Sequence, residues 1–166
     1  HQQRFCFQDL VFLVYPLCEA EYYYSFKTYI YKSKKLSMKA KNILIFGCSG
    51  QIGRSIVRKL TKDNYTVTAV TRNIHQKGIV LKTLGNAGFI NIVEANIFDE
   101  KKIRELFKKA DICINLVGIL YEQKKGNTFK NIHTVFPTIL AKLCKEYNLK
   151  HFIHLSTLGI NNAVDS

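Results

Sequence analysis

Acidic residues are scarce in this chain. Twelve Asp and Glu stand against 25 Lys and Arg, a formal net charge of +13 over 166 residues. The scarcity is sharpest between Asp63 and Glu94, where no acidic residue occurs. Long apolar runs are missing as well. The best candidate, Leu10 to Leu17, is bracketed by Asp9 and Glu19 and falls far short of the roughly 20 residues that cross a bilayer. No small-residue cleavage pattern follows it, so it does not read as an export signal. The five cysteines (Cys6, Cys18, Cys48, Cys113, Cys144) have no CxxC spacing, which argues against a zinc or dithiol site. Without an export signal they read as reduced thiols, with Cys113 a small core residue inside a strand pattern. His151 and His154 have no Asp or Glu to complete a metal set, so no metal is expected. The lysines are spread over helix faces and turns. Pairs such as Lys101 and Lys102, Lys108 and Lys109, and Lys124 and Lys125 belong to no aromatic-basic RNA module. No specific nucleic-acid partner is expected. Hydrophobic residues make up 47%, too many for a disordered chain.

The most informative run is NILIFGCSGQIGR, residues 42–54. Ile43 to Phe46 form an apolar strand. A turn with Gly47, Gly50 and Gly53 follows, and a helical pattern then opens with Ile52, Ile56, Val57 and Leu60. Strand, glycine turn and helix in that order are the context that gives a glycine motif its meaning. Such a turn lets backbone N–H groups approach a pyrophosphate, and the helix N-terminus favours its negative charge. Gly53 lets helix and strand pack closely. The expected contacts are the amides of Ser49, Gln51 and Ile52.

The second strand, TVTAVT, ends at Thr71. NAD-binding folds place an Asp or Glu near this point, roughly 20 residues past the glycines, to hold the ribose 2′-hydroxyl. Here Arg72 and Asn73 stand instead. A guanidinium donates paired hydrogen bonds to phosphate oxygens, so Arg72, helped by Arg54 or Lys77, points to NADP(H) over NAD(H), with NAD(H) the second choice.

From Met38 onward the elements alternate. Strands are read at 42–46, 65–71, 90–94, 111–117 and 152–155, and helices at 51–62, 76–84, 99–109 and 127–147. Asp99 reads as an N-cap, and Ile103, Leu106 and Phe107 as the apolar face behind it. The fold class is α/β, a doubly wound parallel sheet of the Rossmann type. The dinucleotide then lies on the rim formed by the loops after the strands. Residues 1–37 differ from the rest. They have no glycine, carry Tyr15, Tyr22, Tyr23, Tyr24, Tyr29 and Tyr31, and show poor periodicity. The only methionine, Met38, stands four residues before the first strand. The reading is an extension over 1–37, dispensable for the core, and a Rossmann domain over 38–166 that stops after strand five. The alternative for 1–37 is a docking segment.

These features together resemble the extended and atypical short-chain dehydrogenase/reductase superfamily, the NAD(P)-dependent epimerases and dehydratases. GCSGQIG is similar to its glycine motif. EANIFD resembles the segment that touches adenine, here at Asn96 and Ile97. NLVG resembles the segment lining the nicotinamide ribose, which implies Asn115, Val117 and Gly118. HFIHLSTLG resembles the fifth strand with its active-site Ser/Thr, which implies Thr157, with Ser156 beside it. NLVGILYE, NIHTVFP and FIHLSTLG further resemble the branch of the NADPH-binding accessory subunit of respiratory complex I and its bacterial relatives. The resemblance implies a cofactor held for a structural or regulatory role. Complex I subunits or a membrane surface are then the partners. The location is the mitochondrial matrix in a eukaryote, or the bacterial cytoplasm and inner membrane face.

The alternative is an active NADP-dependent oxidoreductase, dehydratase or epimerase acting on a sugar nucleotide or small carbonyl. Such an enzyme uses a Tyr–Lys pair as its acid/base, on the helix after strand five. The YxxxK matches here (Tyr23/Lys27, Tyr31/Lys35, Tyr121/Lys125) all precede that strand, so no turnover is expected from these residues. His133, on the helix after strand four, reads as a partly buried structural histidine, with a place facing the cofactor as the alternative.

Overall fold

The computed structural model describes residues 3–7, 10–16, 42–122 and 126–156. Its strands are β1 (Gln3–Phe7), β2 (Leu10–Pro16), β3 (Asn42–Phe46), β4 (Thr66–Thr71), β5 (Ile90–Glu94), β6 (Ile112–Asn115) and β7 (His151–Ser156). Its α-helices are α1 (Gln51–Lys62), α2 (Ile74–Lys82), α3 (Glu100–Phe107) and α4 (Phe136–Glu146), with a π-helical turn over Lys130–Val135 running into α4. All seven strands join one sheet in the order β1-β2-β7-β6-β3-β4-β5.

The five strands from β3 onward are parallel. Their spatial order, third-second-first-fourth-fifth, is that of a Rossmann sheet. β3 and β6 are apolar apart from one Asn each, and β4 combines Thr with Val and Ala, all three being largely buried as strands covered on both faces are. Residues 43–46 of β3, 67–71 of β4 and all of β6 are buried. On one face α1 and α2 cover a cluster that includes Ile45, Val57, Leu60 and Leu81. On the other, α3 and α4 cover Phe46, Ile103, Phe107, Phe136 and Leu140. The Phe46 and Phe136 rings meet edge to face at 5.4 Å. Cys48, Cys113 and Cys144 are free, buried thiols. Burial raises the Cys48 pKa to about 11.

Local chemistry sets the boundaries. Asn73 Oδ1 accepts from Gln76 N and starts α2 at Ile74, two residues earlier than the periodicity predicts. Asp99 caps α3 as predicted, accepting from the amide of Lys102. α1 ends before Asn64, which takes a left-handed φ of 61°. The predicted single helix over 127–147 is divided instead. Its first part is the π-helical turn, and only Phe136–Glu146 is α-helical.

The N-terminal residues depart most from the sequence reading. β1 and β2 form an antiparallel hairpin, and β2 pairs antiparallel with β7 from Val11 opposite Ser156 to Pro16 opposite His151. Poor periodicity over 1–37 did not separate these strands, because LVFLVYP of β2 is a continuous apolar run without alternation and QRFCF of β1 is too short to show a period. Met38 lies outside the described residues. Among the described residues no helix is long and apolar enough to cross a membrane.

Candidate functional site: the crevice above the glycine turn

The site lies at the C-terminal ends of the parallel strands. There β3 is flanked by β4 on one side and β6 on the other, the point where an open α/β sheet reverses its order and binds ligands. Each of the three glycines in the turn is shaped by different constraints. Gly47 has φ +80°, and a Cβ there would stand 2.7 Å from the carbonyl carbon of Leu116 and 2.9 Å from the amide of Val117. A Cβ on Gly53 would collide with the backbone of Gly47 and Cys48. These two are glycines because the protein leaves no room. Gly50 has an ordinary extended backbone, φ −71° and ψ 169°. A Cβ there would meet only the Gly47 oxygen, at 3.5 Å. Nothing internal requires glycine at 50, so the open space above it is free for a ligand.

The amides around Gly50 are available too. The Gly50 amide donates to Gly47 O at 3.2 Å and that of Arg54 to Gly50 O at 2.9 Å. No side chain caps α1. The amides of Gln51 and Ile52 have no acceptor among the described residues, and that of Ser49 faces only the Cys48 thiol. A dinucleotide is the group this fold implies, and the unused amides, together with the open face of Gly50, fit its diphosphate.

On the β4 side, Arg72 is exposed directly after the strand. It makes no hydrogen bond or ion pair with the described residues. Arg54 is already engaged, its Nε donating to Ser49 O at 3.0 Å. Glu94 ends the neighbouring strand in register with Thr71, and its carboxylate accepts from the Ile74 amide at 2.8 Å. This carboxylate beside the Arg72 position escaped the sequence reading, because the two positions are 22 residues apart in the chain. Counting the register of parallel β4 and β5 would have found it. Asn96 and Ile97 follow β5. Asn96 is exposed, its Oδ1 accepting from Phe98 N at 3.1 Å, and Ile97 is buried.

The β6 side is built from side chains. Asn115 is fully buried at the end of β6, where its polar atoms need partners. Its Oδ1 accepts from the Val117 amide at 3.1 Å. Its Nδ2 faces Nδ1 of His154, one strand over, at 3.1 Å. Since the amide of Val117 only donates, Asn115 must turn its oxygen there and its NH2 toward His154. His154 Nδ1 is therefore the acceptor, and the ring is neutral. Burial lowers the His154 pKa from its ordinary 6.5; a hydrogen bond to the Asn115 backbone opposes this, and the electrostatic influence of His133 adds a smaller lowering.

Leu116 and Val117 are half-buried and Gly118 is exposed. The predicted partly buried His133 is exposed instead, because the π-helical turn carries its ring outward to the loop after β6. There its Nε2 lies 3.1 Å from the carbonyl oxygen of Ile119. Thr157 lies outside the described residues, as do Lys125 and both N-terminal Tyr/Lys pairs. Tyr121 sits on the loop after β6, 67% exposed. Among the described residues no three His, Cys, Asp or Glu side chains gather where they would hold a metal ion.

Fold and site together define a Rossmann domain of the dinucleotide-binding type. The chain belongs to the NmrA-like family, whose model matches residues 39–165. It is similar to the mitochondrial NADH-ubiquinone oxidoreductase 40 kDa subunit of Neurospora crassa, 29% identical over 121 residues, covering 73% of this chain and 32% of that protein. It is also similar to the mitochondrial NADH dehydrogenase [ubiquinone] 1 alpha subcomplex subunit 9 of Mus musculus, 26% identical over 128 residues, covering 77% of this chain and 34% of that protein. The chain thus spans about a third of the length of these relatives. A Serratia marcescens short-chain dehydrogenase/reductase shares the fold, with a TM-score of 0.55 at 13% identity over 66% of this chain and 51% of that one. The resemblance read from the sequence holds at both levels, the superfamily fold and the respiratory-subunit relatives.

Proposed function

We propose that this chain binds NADP(H) in the crevice above the glycine turn and holds it for a structural or regulatory role, in association with respiratory complex I. The observation that carries the reading is Gly50, an exposed glycine with no internal reason to be one, set beside the amides of Gln51 and Ile52, which have no acceptor among the described residues. In this reading the amides of Ser49, Gln51 and Ile52 hold the diphosphate. Arg72 takes the 2′-phosphate, and its lack of a partner among the described residues supports that role. Asn96 and Ile97 border the adenine, and Asn115, Val117 and Gly118 border the nicotinamide ribose. A bound nicotinamide would supply hydride chemistry. Thr157 is the one residue assigned to orient a carbonyl or hydroxyl beside it.

The names of the relatives support a mitochondrial location, in the matrix, with complex I subunits or the adjoining membrane surface as partners. An active reductase, dehydratase or epimerase needs a positioned acid/base. We assign that role to no described residue, Tyr121 included. The test is titration of the chain with NADPH and NADH, followed by intrinsic and cofactor fluorescence. Tighter binding of NADPH is expected. Equal affinity for both removes the role given to Arg72.

A further inference from the structure

The segment after β6 is fixed at two points. At its start, Leu116 and Val117 press against Gly47, within 2.9 Å of where a Cβ would stand, and the Val117 amide donates to Asn115. At Ile119 the anchor is His133. Its Nε2 lies 3.1 Å from Ile119 O and 3.3 Å from Ile119 N, so one ring nitrogen serves either the carbonyl or the amide, whichever tautomer is present. The imidazole is itself held, stacked on the Phe129 ring at 6.0 Å between centroids. It rides on the π-helical turn, and such bulges inside helices are frequent at functional sites. Gly118 lies between the anchors, and a Cβ there would meet only His133 Cε1, at 3.4 Å. Directly beyond Ile119 the chain turns outward, with Leu120 96% exposed, and its next tie is Glu122, whose carboxylate accepts from the Phe129 amide at 2.7 Å.

A dinucleotide on a Rossmann sheet spans two mononucleotide halves across the crevice. β4 and β5 serve one half and β6 and β7 the other. The anchored segment therefore belongs to the half beyond the diphosphate. We propose that His133 is a positioning residue for the nicotinamide–ribose end of the cofactor. By clamping Ile119 it holds Leu116 to Ile119 in the shape that end requires, and it makes no contribution to the adenosine end. The inference rests on the dinucleotide reading above.

The test compares NADPH with its own adenosine half, adenosine 2′-monophosphate 5′-diphosphate, by calorimetric titration of the unmodified chain, His133→Ala and His133→Gln. Losing one such hydrogen bond is worth up to about tenfold in affinity. His133→Ala should weaken NADPH by about five- to tenfold and leave the half-cofactor unchanged, which also reports that the variant is folded. His133→Gln, whose amide offers a donor and an acceptor near the Nε2 position, should recover most of the loss. An equal loss for both ligands, no loss for either, or a Gln variant no better than Ala would each overturn the clamp. Failure of the unmodified chain to bind either ligand would instead overturn the dinucleotide reading, and the clamp with it.

Discussion

The two sides of the crevice are made differently. On the β3–β4 side the site is mostly backbone: a tight turn, amides without acceptors among the described residues and one exposed arginine. On the β6–β7 side it is a network of side chains, in which Asn115 bonds His154 39 residues away and His133 holds a loop 14 residues away. The turn itself needs only glycines at the right spacing and can be written in a dozen consecutive residues. The side-chain network exists only once the strands and helices that carry its members have docked. The two should therefore break differently, one through local sterics and the other through loss of partners.

The largest effect should come from Gly47→Val. It forces a β-branched residue into a left-handed backbone and against Leu116, and should cost more than about 2 kcal/mol of stability. Urea denaturation checks this, and a variant as stable as the parent would show that the turn and the β6 loop are not in contact. Arg72→Ala tests the same side without touching the fold. A charge-assisted contact to a 2′-phosphate is worth about 10- to 100-fold, so most of the preference for NADPH over NADH should disappear while the melting midpoint stays put. A preference that survives would move the determinant to Lys77 or Arg54.

The β6 side should instead respond to pH. The folded pKa of His154 lies below its ordinary 6.5, so near and below that pH the unfolded chain binds the proton more readily than the folded one. The folded state is then favoured above pH 6.5, and that advantage is lost as pH falls through 6.5 toward the folded pKa. Protonation also removes the acceptor that Asn115 needs. His154→Gln should flatten the stability profile between pH 7.5 and 5 relative to the parent, and parallel profiles would contradict the neutral-ring assignment. The smallest effect is expected from starting the chain at Met38. The five parallel strands all lie within residues 42–156, so the domain should still fold. Loss of cooperative unfolding would make the β1–β2 hairpin an integral part of the sheet.

The same contrast explains what was legible in the sequence. The parallel strands, the glycine turn and the Asp99 cap were readable because each is decided within a few neighbouring residues. Asn115 was singled out in the sequence but not as one member of a buried pair. Its partner becomes visible only when β6 and β7 are laid side by side, Asn115 opposite His154. Glu94 was missed for the same reason. The antiparallel pairing of β2 on β7 joins residues more than a hundred positions apart, and no local pattern announces it. The π-helical turn was hidden because Ile132, Phe136 and Leu140 keep a helical spacing through it.

The central claim is that the turn holds a diphosphate over Gly50, and Gly50→Val tests it most directly. The backbone at 50 suits any residue, and a Cβ there meets nothing closer than 3.5 Å, so the variant should melt with the parent. Its side chain would occupy the space the diphosphate needs. NADPH titration of both proteins should show saturable binding by the parent and a loss of more than about tenfold in the variant, the size of effect expected when amide contacts to a charged group are blocked. Equal affinity in the two proteins, or no saturable binding by the parent, would contradict the account.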